Sequence, residues 1–428
     1  MKKRKLPFWC SCVVMGSGQL MYRQWIKGLL YLGCLALYLY YLFTSGITDI
    51  IGFFTLGTVE GDPWLGIQGD DSILMLLRGI MALLVTAGAV GLHILNIRDV
   101  AAMEDALARE KTLPGFREIM RRFVDRKFYV VALFLPIVGV LIFNVLPILF
   151  MTLIAFTNYG GDIVPPKLVD WIGFDNFRRI FQLSEVKSTF LRILGWNLLW
   201  AFTATFLSYF GGLLLALLLN KKCVRGKAFW RAFPIIAYAV PGFITLLGFK
   251  FMFSYGGPIN HYITAAGGNA IGFLDIDAGW KARLIGLLVN TWISVPTSML
   301  LATGMLSNMR ADLYEAASLD GAGRWKQFTK LTLPFVIFST TPTLITSFVG
   351  NFNNFGVFYF LRGGLYLDGY FLASDTDLLL NWLYNLSIDN NYYGIGAAVS
   401  LIIFVITSIF SLYAYVNSSA FKKEDTYR

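Results

Sequence analysis

The sequence predicts an all-α integral membrane protein with eight transmembrane helices, and three observations carry that expectation. Of its 428 residues, 56% are hydrophobic and 14% charged, with a mean hydropathy of +0.61, where a soluble domain holds roughly 45–50% and about 25%. Apolar runs recur at or above the ~20 residues that cross a bilayer as a helix. Lysine and arginine alternate between one set of loops and the other.

The apolar runs place the helices at roughly 26–45, 73–96, 128–157, 192–219, 232–254, 283–306, 335–361 and 395–416. Segments 1–27, 98–127, 220–231, 307–334 and 417–428 hold 26 Lys and Arg, and the alternate loops 46–72, 158–191, 255–282 and 362–394 hold 6. Basic loops stay on the cytoplasmic side. Both termini are therefore expected in the cytoplasm, as is the long loop before the seventh helix. The same pattern explains the net charge of +10 without a nucleic-acid partner. The basic start MKKRK lacks the apolar core and cleavage site of a signal peptide and is read as part of the mature chain. Arg78, Arg192, Lys250 and Arg283 lie near helix ends, where long stems snorkel to headgroups. Trp25, Trp171, Trp230, Trp280 and Trp382 are expected as interfacial anchors.

The helix interiors contain no Asp or Glu. Ion-coupled carriers and channels commonly place charge there, so a neutral, hydroxyl-rich substrate fits better. Cys10, Cys12, Cys34 and Cys223 suggest neither a disulfide framework nor a metal site, and His93 and His261 lack zinc-ligand spacing. No GxxxxGK[ST] loop is present; neither a bound cofactor nor ATP hydrolysis is expected of this chain.

The most specific stretch is YEAASLDGAGRWKQFTKLTLP, residues 314–334. It reads as a short polar helix, a sharp turn at Gly321 and Gly323, and a second helix opened by Pro334. This segment resembles the EAA loop of binding-protein-dependent ABC transporter permeases. The pattern is met by Glu315-Ala316-Ala317, then Gly321, then Leu331-Thr332-Leu333-Pro334, with Leu331 in place of the usual isoleucine. WIGFDNF (171–177), RGKAFWRAFPIIAYAVPGF (225–243), NTWISVPTSML (290–300), SFVGNFNNFG (347–356) and TDLLLNWLYNL (376–386) extend the likeness to the MalF-type subunit of maltose and maltodextrin importers. The resemblance implies an N-terminal part, residues 1–127, with two helices and a basic loop, and a permease core, 128–428, with six helices and the coupling loop 307–334. It implies that Glu315, Ala316, Ala317, Asp320, Gly321 and Pro334 form an elbow that docks on an ATPase subunit. It further implies a MalG-like second permease, two ATPase subunits that hydrolyse Mg-ATP, an extracellular sugar-binding protein, and a bacterial cytoplasmic membrane.

At 100° per residue, Ser347, Gly350, Asn351, Asn354 and Phe358 share one helical stripe, while Asn353 lies off it. An amide both donates and accepts, as sugar hydroxyls require. The family resemblance implies that the sugar meets Ser347, Gly350, Asn351 and Asn354, together with Trp292, Ile293, Ser294 and Thr297 on the preceding helix. Asn353 is expected to hold helices together instead. Gly350 and Thr297 replace aromatics of the enterobacterial-type subunit, and the outer loop 158–191 is short where that type inserts a domain. The cargo is expected to be maltose or maltodextrin, with raffinose-type or galacto-oligosaccharides as the alternative and a stand-alone secondary carrier as a further one.

Overall fold

The computed structural model describes residues 5–417, apart from residues 63 and 222 and most of 110–127. Much of the basic loop 98–127 and the tail after residue 417 thus lie outside the described residues. Among those described there is no β-strand, only isolated bridges such as Asp62–Ile67. Among the described residues seven helices are long and apolar enough to cross a membrane, and a further pair meets that test only when its two pieces are taken together. The chain forms two compact units, Met1–Phe174 and Asp175–Arg428.

The first unit opens with two short helices, α1 (Leu6–Val13) and α2 (Ser17–Met21). Three spans follow: α3 (Trp25–Thr55), α4 (Ser72–Leu107) and α5 (Phe128–Ile154). Asp71 caps α4 by accepting from the amides of Ile73 and Leu74, both at 3.0 Å. Between α3 and α4, Asp70 accepts from the amides of Thr58 and Val59 at 2.8 and 3.0 Å, which holds its carboxyl below the usual range. The loop 155–174 folds back on the same unit: Trp171 donates from Nε1 to the Phe54 carbonyl and leans on the Phe53 ring.

The second unit contains α6 (Asp175–Gln182), α7 (Ser184–Asn220), α8 (Lys227–Ala239), α9 (Gly242–Met252), α10 (Pro258–Ala265) and α11 (Gly279–Ser307). After these come α12 (Ala311–Leu319), α13 (Arg324–Gln327), α14 (Leu333–Phe352), α15 (Gly356–Arg362), α16 (Leu379–Tyr384) and α17 (Tyr393–Asn417). The long α7 crosses α11 closely because Gly212 lacks a side chain; a Cβ there would fall 2.6 Å from the Met299 amide nitrogen. Around this crossing Tyr209, Leu213, Ala216, Met299, Ala302 and Val336 form one apolar core, and Trp196, Trp200, Val289, Val357, Phe358 and Leu361 form another farther along α7 and α11.

Two expected helices are interrupted. The stretch expected as the fifth span is two helices, α8 and α9, bent by 90°. Pro241 explains the break: it supplies no N–H and forces Val240 into extended backbone. The seventh stops at Phe352 and restarts at Gly356, so no single stripe joins residues 347 to 358. Phe358 turns into the core at 1% exposure. At the other end, the helical run begins at Arg324 rather than at Pro334. A π turn over Phe328–Thr332 precedes the proline and makes room for its ring.

Three side chains expected at the lipid–water interface are tied into the protein. Trp382 is fully buried and donates to the Phe371 carbonyl at 2.8 Å. Arg283 lies over the Trp196 ring at 4.4 Å and donates to the Asp375 carbonyl. Arg192 faces the Tyr370 ring and donates to the Gly369 carbonyl.

Candidate functional site

Ending α14 in an apolar setting leaves backbone carbonyls without helical partners, and each such group must find a donor. The surrounding helices supply them. Trp200 Nε1 donates to the Asn351 carbonyl at 3.1 Å, Asn197 Nδ2 to the Phe352 carbonyl at 3.0 Å, and Asn381 Nδ2 to the Phe355 carbonyl at 2.8 Å. The same amides work in the other direction: Asn197 Oδ1 accepts from the Leu379 amide and Asn381 Oδ1 from the Leu378 amide. The break is thus a fixed polar junction between α7, α14 and the start of α16.

The asparagines that drew attention in the sequence occupy this junction. Asn351 Nδ2 donates to Thr205 Oγ1 at 2.9 Å, and its Oδ1 accepts from Asn290 at 3.4 Å. Its amide therefore links α7, α11 and α14, the gluing role expected of Asn353. Asn354 accepts from the Val357 amide at 3.1 Å and starts α15. Asn353 closes α14 through its own amide, which donates to the Val349 carbonyl. Trp292, at 56% exposure, Thr297, Ser347 and Gly350 are exposed, while Ile293, Ser294, Asn351 and Asn354 are half-buried. A Cβ at Gly350 would meet nothing within 4 Å, so this glycine opens a surface and is not needed for close packing within the chain. Sequence reasoning missed Asn197, Trp200 and Asn381; their polar character in apolar runs was the only available signal.

The elbow has the geometry its sequence requires. Gly321 adopts φ +74°, which an L side chain tolerates poorly. Its amide donates to the Ser318 carbonyl, and the next amide, Ala322, donates to the Ala317 carbonyl. This paired closure is the Schellman ending of a helix. Gln327 clamps the turn from the other arm, donating to Ser318 Oγ and the Ala322 carbonyl, both at 2.9 Å. Tyr314 and Thr332 join their hydroxyls at 2.8 Å. Glu315, Ala316, Asp320, Gly321 and Pro334 are exposed and Ala317 is half-buried. Leu319 (89%) and Trp325 (75%) stand almost fully in solvent beside them, an apolar patch that the sequence did not single out.

The loop after α15 is held by buried polar groups. Arg362, 2% exposed, pairs with Asp375 at 3.0 Å, bonds Thr376 Oγ1, and donates to the carbonyls of Asp275 and Ile276. Nearby, burial pushes the Asp377 carboxyl up to about 6, against the lowering influence of Ser374, Arg362 and Asn385. A carboxyl that keeps its proton to about 6 folded, against 3.8 unfolded, adds stability fully present below 3.8 and lost as pH rises through about 6. Proteolysis of the loop 363–378 in detergent is therefore expected to slow several-fold between pH 7.5 and pH 5. Asp377→Asn is expected to flatten that dependence.

Helices long and apolar enough to cross a membrane, one of them interrupted at a polar junction, and an exposed helix–turn–helix elbow describe a multi-pass membrane protein. The pattern of the family described as "Binding-protein-dependent transport system inner membrane component" matches residues 208–422. The chain is 34% identical to the galactooligosaccharides transport system permease protein GanP of Bacillus subtilis, over 96% of its own length and 97% of that protein. It is 33% identical to the maltodextrin permease MdxF of the same organism, over 99% and 98%. Identity to the maltose/maltodextrin permease MalF of Escherichia coli K12 is 34% over 61% of this chain and 52% of MalF. A bacterial alginate ABC transporter crystallised with its alginate pentasaccharide-bound periplasmic protein has a chain of the same fold, with a TM-score of 0.55 at 23% identity, covering 70% of this chain and 97% of that one. The protein belongs to the family of binding-protein-dependent transport system inner membrane components, as a permease of the MalF type.

Proposed function

We propose that this chain is one of two permease subunits of an ATP-driven importer that carries oligosaccharides, most specifically maltodextrins, across the bacterial cytoplasmic membrane. Similarity along almost the whole chain to a maltodextrin and a galactooligosaccharide permease carries this reading. The chain itself is not an enzyme in this scheme. Mg-ATP is bound and hydrolysed by two partner ATPase subunits, a MalG-like permease completes the cavity, and an extracellular binding protein delivers the sugar. Both termini and the elbow face the cytoplasm, where Glu315, Ala316, Asp320, Leu319 and Trp325 meet an ATPase subunit. ATP closes the ATPase pair, the elbow carries that motion to α14, and the cavity opens outward to receive sugar. After hydrolysis it returns and releases the sugar inward.

The exposed side chains Trp292, Thr297 and Ser347, beside the open surface at Gly350, form this chain's share of the sugar path, flanked by Ile293, Ser294, Asn351 and Asn354. Near-equal identity to GanP makes galacto-oligosaccharides the second reading. The complex, reconstituted with its binding protein, is expected to show ATPase stimulation by maltotriose and maltotetraose above that by galactotriose or raffinose. The reverse order would transfer the assignment to galacto-oligosaccharides, and stimulation by none of them would remove oligosaccharides from the reading. Trp292→Ala, losing a ring contact of about 1.5 kcal/mol, is expected to raise the half-saturating sugar concentration for uptake roughly tenfold at unchanged basal ATPase activity.

A further inference from the structure

The transport core leaves the N-terminal hairpin unexplained, although it is firmly built. α1 and α2 meet at Gly16 (φ +85°), where an added Cβ would fall 2.2 Å from the Gly28 carbonyl oxygen. Asn96 of α4, fully buried, donates to the Ser11 carbonyl at 3.1 Å and accepts from the Gly16 amide at 3.0 Å. Gln19, also fully buried, donates to the Asn96 carbonyl at 3.3 Å, and His93 Nε2 meets the Cys12 carbonyl at 3.0 Å. At the foot of α3, Lys27 pairs with Asp99 at 2.9 Å. These bonds hold α1 at the level where α3 begins and the polar end of α4 takes over from its apolar stretch.

Fixed there, α1 has two unlike faces. Ser11 is buried against the hairpin, whereas Leu6, Trp9 and Val13 are 67%, 61% and 80% exposed. At 100° per residue these three fall within an arc of roughly 60°. On α3, which follows α2 after a short turn, Trp25, Ile26, Leu29 and Leu30 are exposed as well. The first 48 residues hold six bases, Lys2, Lys3, Arg4, Lys5, Arg23 and Lys27, and no carboxylate; α4 brings Asp99, paired with Lys27, and Glu104, which accepts from the Tyr22 hydroxyl.

We propose that α1 is an interfacial membrane anchor: Leu6, Trp9 and Val13 lie in the headgroup–acyl boundary, and the adjoining basic run takes anionic phospholipid. Level, apolar stripe and charge are the three requirements of such a helix, and the hydrogen bonds that fix α1 at the ends of two membrane-length helices select lipid over a protein partner. The proposal needs the membrane position of α3 and α4 and is independent of the cargo.

The test uses the assembled transporter in nanodiscs. Cys10, Cys12, Cys34 and Cys223 are replaced by serine, and a nitroxide is attached at Trp9→Cys or, with Trp9 kept, at Val13→Cys. Leu29→Cys serves as the lipid reference and Leu319→Cys, in a complex lacking the ATPase subunits, as the water reference. The ratio of oxygen to nickel-chelate collisions at positions 9 and 13 is expected to match the lipid reference and exceed the water reference at least threefold. In phosphatidylglycerol discs the ratio is expected to exceed that in phosphatidylcholine discs, a difference lost when residues 2–5 are all changed to glutamine. A water-like ratio in both lipids overturns the proposal. So does exclusion of both reagents, which would mean that another subunit covers the stripe. A lipid-like ratio indifferent to lipid charge and to the glutamine changes overturns the part assigned to the basic run.

Discussion

Arg362→Ala is expected to cost about 3 kcal/mol or more of folding free energy, with release of the loop that follows α15. Truncating one member of a buried, hydrogen-bonded ion pair typically costs about 3–5 kcal/mol, because the partner groups are left unpaired. Arg362 is the hub of four such bonds: to Asp375, to Thr376 and to two carbonyls at 275 and 276. Asp375 keeps 23% of its side chain accessible, so water would rehydrate it and hold the loss near the lower end. Thr376, fully buried, receives no such relief. Arg362→Lys keeps the charge but not the planar fork and is expected to fall between the two. Thermal unfolding of the purified complex and protease access to 363–378 measure the effect. An Arg362→Ala complex as stable as the parent would show that this clasp does not hold the loop.

That arginine also marks what a single sequence conceals. In the sequence it is one base at the edge of an outer loop; its burial depends on carbonyls 86 and 87 residues earlier. The apolar spans were legible because length and hydropathy alone define them, and the elbow because its glycines, alanines and proline act locally. The bend between α8 and α9 was also legible in principle, at Val240-Pro241-Gly242, since proline dictates its neighbour's backbone. The break after Phe352 was not. No proline or glycine marks residues 352–355; the interruption persists because Asn197, Trp200 and Asn381 satisfy the freed carbonyls from elsewhere in the chain. For the same reason the partners of Asn351 and Asn354 within the chain were not legible. Trp382 fits the pattern too: an aromatic in a loop reads as an interfacial anchor until the fold closes over it.

Glu315→Lys is expected to abolish sugar-stimulated ATPase activity, bringing it to the basal level, while leaving the subunit's own stability within about 0.5 kcal/mol of the parent, as for a surface substitution away from special features. The separation follows from where the elbow's rigidity resides. Its shape is set by the Gly321 closure, the Gln327 clamp and the Tyr314–Thr332 hydroxyl pair, none of which uses the Glu315 carboxylate. What Glu315 offers is an exposed negative charge beside Leu319 and Trp325, and reversing a charge inside a contact that forms around it costs several kcal/mol. Gly321→Val acts through the opposite route. It leaves every charge in place but forces a β-branched residue to φ +74°, so it is expected to lower helix order in the elbow as well as coupling. Hydrogen exchange over residues 311–332 distinguishes the two: parent-like protection for Glu315→Lys, faster exchange for Gly321→Val, and loss of stimulated ATPase in both. Retained stimulation in Glu315→Lys would leave the elbow as a folded loop without a coupling charge, and would move the contact to the apolar pair Leu319 and Trp325.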